Sequence, residues 1–164
     1  MEENNNSIGN KRPTELFDDS DFTPFKVPYV KLPYENYTII GETAEIDRIV
    51  NTFGILNLSV DDVMSTLSKE TVNYVVVGTA DGEGCIANAL KVAIDKLPIE
   101  TENTSKLLFN IWMSKNSQSP MAEIKLMIDY IESIPSNIDI CWGCAYDESL
   151  SGEQVKVSLI AASK

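Results

Sequence analysis

The fold is most restricted by an alternation of short apolar strands and amphipathic helices that runs from residue 72 to residue 162. Val72 to Val77 is rich in valine and broken by one asparagine, which indicates a strand buried on both faces. Further strands are predicted at Lys106 to Met113, Ile138 to Tyr146 and Gln154 to Ala162. Apolar residues at helical spacing predict one helix between the first and second of the four strands and one between the second and third. This order predicts an α+β fold with a four-stranded mixed sheet.

A glycine-rich turn, Gly78 to Gly84, joins the first of these strands to the helix that follows it. Glycines between a strand and a helix also occur in phosphate-binding loops, so that interpretation has to be considered. The lysine of such a loop is missing here, and Asp81 and Glu83 would repel a phosphate. Tight turning and helix capping therefore explain these glycines better than a phosphate site does.

Size and charge narrow the function classes. The chain has 164 residues, 43% of them hydrophobic, which predicts one ordinary core. Thirteen basic and 25 acidic residues give a net charge of −12, without the basic cluster that nucleic-acid binding needs. No apolar run approaches the eighteen residues of a membrane helix, and Met1 is followed by Glu2 and Glu3. We expect a cytoplasmic protein that binds neither nucleic acid nor membrane.

The cysteines argue against a metal centre and leave a redox pair as a weaker alternative. Three cysteines and no histidine are too few for a zinc site, so no metal and no cofactor is expected. Cys141 and Cys144 have the spacing of a thiol redox pair. They lie in a predicted strand, however, where residues three apart point to opposite faces. Two buried structural cysteines are the favoured interpretation.

The first 42 residues are predicted to be a disordered or extended arm in front of a domain that spans residues 43–164. Met1 to Asn10 is polar and of low complexity. Phe22 to Ile40 intersperses aromatic residues with prolines, which fix an extended backbone and remove N–H donors. This arm segment is either a strap over an apolar patch of its own domain, which we favour, or a peptide that binds a partner.

The loop from Gly54 to Val63 lies between a short amphipathic helix, Thr43 to Phe53, and a second helix. Ser59 precedes Asp62 by three residues, the spacing of a capping box, in which each side chain satisfies the other's free backbone N–H. Leu58 and Val63 can close around this cap as a hydrophobic staple. Local chemistry thus predicts a well-formed helix entrance at this loop.

Gly143 to Ala162 contains an Asp-Glu turn followed by a Lys-Val-Ser-Leu-Ile-Ala strand. This stretch is similar to the last two strands of the C-terminal domain of FtsZ, the bacterial tubulin homologue, and further motifs follow the same order. Leu107 to Ile111 is similar to the family's Leu-Leu-Val-Asn-Ile strand. Gly54 to Val63 resembles the family sequence Gly-Leu-Ile-Asn-Val-Asp-Phe-Ala-Asp-Val without a gap.

The resemblance implies a fold of four mixed strands with two main helices on one face. It also implies that the loop enters the GTP pocket of the next subunit in a filament, where two aspartates of the family position the attacking water. Asn57 and Asp62 match the family here, whereas Ser59 stands in place of the first aspartate. A hydroxyl cannot supply that charge, and the family's glycine-rich nucleotide-binding domain has no counterpart in this chain. The resemblance therefore implies a non-enzyme that does not bind GTP by itself.

Two function classes follow from these expectations. The first is a module in cell division that docks on a full-length FtsZ-type filament through the loop, with an interface made of Gly54, Leu56, Asn57, Leu58, Ser59, Asp61 and Asp62. The second is a stand-alone relic domain with a small-molecule or mutase-like role. Mutases with this sheet topology handle dicarboxylates with arginines, and this chain has only Arg12 and Arg48. The interaction module is favoured, and the oligomeric state is left open.

Overall fold

The computed structural model describes residues 29–117, 120–135 and 137–164. The predicted tail and the aromatic residues Phe22 and Phe25 lie outside these ranges. The elements in chain order are β1 (Thr38–Gly41), α1 (Ala44–Val50), α2 (Val60–Thr66), β2 (Val72–Ala80), α3 (Cys85–Asp95), a short 3-10 turn (Thr101–Asn103), β3 (Thr104–Met113), α4 (Pro120–Glu132), β4 (Asp139–Tyr146) and β5 (Val155–Ser163).

The strands form one mixed sheet in the order β1-β2-β5-β3-β4. The pairs β1/β2 and β3/β4 are parallel, whereas β5 lies antiparallel between β2 and β3. The predicted α+β fold with a mixed sheet is confirmed. The strand number is corrected from four to five, because β1, which falls inside the predicted arm, pairs with β2 from Thr38 opposite Val72 to Gly41 opposite Val75.

Helices cover both faces of this sheet. The two longer helices, α3 and α4, share one face, as the FtsZ resemblance implied, and α1 and α2 cover the other. Alternate strand residues serve the two cores, since successive side chains point to opposite faces of a sheet. The first core includes Leu90, Phe109, Ile111, Met127, Val157 and Leu159. The second includes Leu32, Ile46, Ile49, Val63, Leu108, Trp112 and Ile160.

The segment 29–37, which we call the strap, lies over α1. Leu32 is only 1% exposed and belongs to the second core. Asp47 on α1 accepts hydrogen bonds from the Leu32 backbone N–H (2.9 Å), the Tyr34 hydroxyl (2.8 Å) and the Lys31 ammonium (3.1 Å). One turn later, Asn51 bonds the backbone of Val30 through both its amide oxygen and its amide nitrogen. This packing agrees with the interpretation of the segment as a strap on its own domain.

A polar network fixes α1 to the sheet beneath it. The Trp112 indole N–H donates to Ser158 Oγ at 2.8 Å, and that hydroxyl donates to Glu45 Oε2 at 2.6 Å. The Lys156 ammonium donates to the other Glu45 oxygen at 2.8 Å. The Arg48 guanidinium stacks over the Trp112 ring, 4.2 Å from its centroid. These partners satisfy the polar atoms that α1 buries against β3 and β5.

Candidate functional site

The loop from Gly54 to Val63 lies against β4, an edge strand of the sheet. The Leu56 N–H donates to the Cys144 carbonyl at 3.0 Å, and the Cys144 N–H donates to the Leu56 carbonyl at 2.8 Å. These two bonds form one isolated antiparallel bridge. The middle of the loop is therefore held by the sheet and not only by its two ends.

Two glycines allow the loop to approach the strand this closely. A Cβ atom on Gly54 would lie 2.4 Å from the Cα of Ala145, and one on Gly143 would lie 2.7 Å from the Leu56 carbonyl oxygen. Both separations are too short for real side chains. The amide oxygen of Asn57 accepts the Gly54 N–H at 2.7 Å and so closes the start of the loop on itself.

The predicted capping box at the entrance of α2 is confirmed. Ser59 Oγ accepts the Asp62 N–H at 3.0 Å, and Asp62 Oδ2 accepts the Ser59 N–H at 2.8 Å. Leu58 and Val63, the predicted staple pair, are both buried in the second core. Ser59 and Asp62 are thus engaged in local structure, whatever further role they have.

The predicted interface residues fall into two groups. Leu58 is 6% exposed and packs inward, so its side chain supports the loop and does not reach its surface. Asn57, Ser59 and Asp61 are exposed, Gly54 and Asp62 are half-buried, and 46% of Leu56 is exposed. Sequence reasoning omitted two neighbours that are even more exposed, Phe53 (66%) and Ile55 (57%). Both are large apolar residues next to Gly54, and this was the pattern in the sequence that could have indicated them.

Two clefts flank β4 on opposite faces of the sheet. The first, here called the apolar cleft, encloses about 340 Å³ and is lined by Ile55, Leu56, Met113, Met121, Ile124, Trp142 and Cys144. The second, here called the acidic cleft, encloses about 220 Å³ and is lined by Asp62, Ser65, Thr66, Lys106, Leu107, Asp139, Ile140 and Cys141. Neither was predicted, because each joins residues from segments that are distant in sequence.

The glycine turn before α3 is occupied by a carboxylate from the same chain. Gly82 and Gly84 have φ angles of 79° and 73°, the left-handed region that glycine tolerates. Glu123 Oε1 of α4 accepts the Gly84 N–H at 3.1 Å, at the N-terminal end of α3. A negative group already lies where a phosphate would bind, which supports tight turning over the phosphate-loop alternative.

The cysteines lie as the structural interpretation predicts. Cys144 belongs to the first core and Cys141 packs against the second, so the two thiols point to opposite faces of β4. Burial raises the pKa of Cys144 to about 11. Burial, reinforced by the charge of Asp62, also raises the pKa of Cys141. A reactive thiol needs the opposite shift, so this arrangement does not suit redox exchange.

Among residues 29–117, 120–135 and 137–164, no cluster of three or more acidic or cysteine side chains is arranged to hold a metal ion. No helix within these ranges has the length and apolar character needed to cross a bilayer.

The fold was compared with known proteins. No family model matches the chain, and no curated protein matches it by sequence. Solved structures do match. Two FtsZ structures from M. jannaschii, a single-substitution mutant and an empty dimer, give TM-scores of 0.59 and 0.57 at 18% identity, and cover 71% of this chain. A GTPγS-form protofilament of TubZ from Bacillus thuringiensis serovar israelensis gives 0.52 at 14% identity and covers 74%.

These matches concern only part of each known structure. The chain covers 35% and 34% of the two FtsZ chains and 32% of the TubZ chain, about a third of their length. At such low identity the likeness establishes the arrangement of strands and helices and not the activity. The chain therefore has an FtsZ-like fold that corresponds to a part of the FtsZ and TubZ structures.

Proposed function

We propose that this FtsZ-like domain is an interaction module that docks on an FtsZ-type filament through the loop 54–63, without binding GTP itself. The observation that carries the proposal is the combination of a fixed backbone and exposed apolar side chains in this loop. Its backbone is held by the bridge to Cys144, the Asn57 amide and the capping box of Ser59. Phe53, which begins the exposed stretch, has no place in either core.

A fixed loop favours binding for a physical reason. Ordering a mobile segment costs conformational entropy on association, and a loop that is already ordered avoids most of that cost. Exposed apolar side chains supply the area whose removal from water drives association. Ile55 and Leu56 lie next to each other near the start of the loop, where a partner would cover both together.

The chemistry of the loop also supports binding without catalysis. Asp62 provides one carboxylate, but it already accepts the Ser59 N–H, and Ser59 is a neutral hydroxyl in the place of the family's other carboxylate. A single engaged carboxylate is a poor means of orienting and polarising a water molecule. We expect the module to modulate or cap a filament more than to stimulate its hydrolysis.

The test is co-sedimentation with an FtsZ-type protein from the same cell, assembled in GTP. The wild-type chain should pellet with the polymer, and a Phe53→Ser, Ile55→Ser double variant should stay in the supernatant. A matched control is Ile40→Ser, Val92→Ser, which removes two exposed apolar side chains elsewhere on the surface. Loss of pelleting in the loop variant alone supports the proposal. If the wild-type chain never pellets, or both variants pellet equally, docking through this loop is wrong.

A further inference from the structure

The outer edge of β4 carries backbone groups that the loop covers at one position only. Both the N–H and the C=O of Cys144 point outward, because both bond Leu56. Strand residues alternate the direction of their backbone groups, so those of Trp142 and Ile140 point to the same edge. Within the described residues, no hydrogen bond is found for these two residues on that side. The N–H and C=O groups of Ile140 and Trp142 could therefore form up to four hydrogen bonds with an added strand.

The two clefts lie on either side of this open edge. Trp142 and Cys144 face the apolar cleft, on the side of α4. Asp139 and Cys141 line the acidic cleft, on the side of α2. A strand added along the edge would send alternate side chains to opposite faces of the sheet. Every second side chain would thus enter an apolar environment, and the intervening ones an acidic environment.

We infer that the open edge of β4 is a strand-addition site for an extended peptide segment in which apolar and basic residues alternate. Main-chain hydrogen bonds to Ile140 and Trp142 provide the docking, and the two clefts provide the selection of side chains. An exposed strand edge is a ready template for another chain, and natural proteins usually cover such edges. Among the residues that the structure describes, only Leu56 pairs with this edge. The apolar cleft shares Ile55 and Leu56 with the loop, but the backbone groups of Ile140 and Trp142 lie outside the loop, so this inference does not depend on filament docking.

Charge decides which occupant fits the acidic cleft. Asp62 and Asp139 line it together with one cation, Lys106, whose ammonium is already bonded to the Ser65 carbonyl at 2.7 Å. A basic side chain on the added strand would gain attraction from both carboxylates. A second copy of this chain fits less well, because pairing two β4 edges would bring two acidic clefts together in a protein of net charge −12.

The probe is the blocked peptide acetyl-Lys-Ile-Lys-Val-Lys-Ile-Lys-amide, titrated into the full-length chain. Binding should slow hydrogen exchange of the Ile140 and Trp142 amides, measured by NMR, and leave that of Cys141 unchanged, because the Cys141 amide faces β3. A peptide with glutamate in place of lysine should bind at least about tenfold more weakly. In an added strand, the N–H groups of alternate peptide residues point towards β4 and the others point away. N-methylation of the set that points towards β4 should abolish binding, and N-methylation of the other set should be tolerated.

Variants separate the two clefts from general charge effects. Asp139→Lys should weaken binding of the lysine peptide and strengthen binding of the glutamate peptide. Glu35→Lys, at an exposed residue just before β1 and so near the opposite edge of the sheet, should change neither. Met121→Ser, at a side chain that is 76% exposed, should weaken the binding of both peptides without unfolding the domain.

Three results would each overturn the inference. They are absence of saturable binding at millimolar peptide, equal binding of both methylated sets, and concentration-dependent dimers that protect Ile140 and Trp142 without peptide.

Discussion

At the scale of single residues, Ser59 has a structural role at the start of α2. Its hydroxyl accepts the Asp62 N–H, so removing the hydroxyl removes the N-cap of α2. We predict that Ser59→Ala lowers the free energy of unfolding by about 1 kcal/mol, and that Ser59→Asp changes it little because aspartate caps equally well. Urea unfolding followed by circular dichroism measures both. Equal stability of the alanine variant and the wild type would contradict the capping role.

The same position gives a prediction about the proposed docking. Ser59→Asp restores the second carboxylate of the FtsZ loop, so we expect it to raise the GTPase rate of a partner FtsZ-type protein above the rate with wild-type chain. Adding Asp62→Asn should abolish this gain, since asparagine keeps an acceptor for the Ser59 N–H but carries no charge. Phosphate release is the measurement. No gain with Ser59→Asp, in a mixture where the chain pellets with the polymer, would exclude the loop from the nucleotide pocket.

Asp147 is a buried carboxyl whose pKa lies well below its ordinary value. Burial by itself would raise the pKa of this carboxyl, but hydrogen bonds from Ser149 and the ion pair with Arg48 outweigh burial and lower the pKa to about 2. A lowered pKa means that the stabilisation is complete above the ordinary value of 3.8 and is lost as the pH falls towards 2.

We therefore predict that the stability difference between wild type and Asp147→Asn is largest near neutral pH and shrinks between pH 4 and pH 2. Urea midpoints at a series of pH values measure this difference. The matched control is Glu148→Gln, whose side chain is exposed and makes only a 3.9 Å contact with Lys115. A difference that stays constant over this pH range would show that the Arg48 pair does not stabilise the fold.

What could be predicted at this scale depended on distance along the chain. The capping box spans three residues, so its spacing was visible in the sequence. The ion pair between Arg48 and Asp147 joins residues 99 apart, and no local pattern indicates it. The exposed edge of β4 is likewise a property of strand order, which is set by how the whole sheet assembles.

At the scale of elements, the strap shows why one strand was missed. β1 has four residues, and three of them are exposed, so it lacks the apolar alternation by which strands are recognised. It is a strand because Thr38 to Gly41 finds β2 beside it and because the strap before it is anchored to α1. The longer strands β2 and β3 carry their own apolar pattern, and their ends were predicted to within three residues.

The strap gives a prediction of its own. Leu32 is almost fully buried against α1, so Leu32→Ala should lower the free energy of unfolding by about 2 to 5 kcal/mol, the usual range for a leucine cavity. Tyr29→Ala removes a larger side chain that is 69% exposed and should have little effect. Thermal and urea unfolding measure both. If the two variants are equally stable, the strap contributes no packing energy to the domain.

At the scale of the whole molecule, the matched part of the chain corresponds to about a third of an FtsZ chain. Its second core is closed on one side by α1 and the strap, which supplies Leu32 as well as partners for Asp47 and Asn51. The sheet itself ends in β1, which the segment 38–41 adds beyond β2. Both features come from residues that the sequence assigned to an arm outside the domain.

This difference can be tested with two fragments. Residues 29–164 keep the strap and β1, so we predict that the free energy of unfolding of this fragment equals that of the full chain to within about 0.5 kcal/mol. Residues 43–164, the domain as the sequence delimits it, lose Leu32 and the parallel pairing of Ile40 with Tyr74. Burying one leucine contributes about 2 kcal/mol, and four residues of β-pairing add to it, so we expect the free energy of unfolding to fall by several kcal/mol.

The shorter fragment should also bind a dye for exposed apolar surface, because the α1 side of its second core is open. Equal urea midpoints for the two fragments would place the start of the domain at residue 43 and would show that the strap and β1 do not stabilise it.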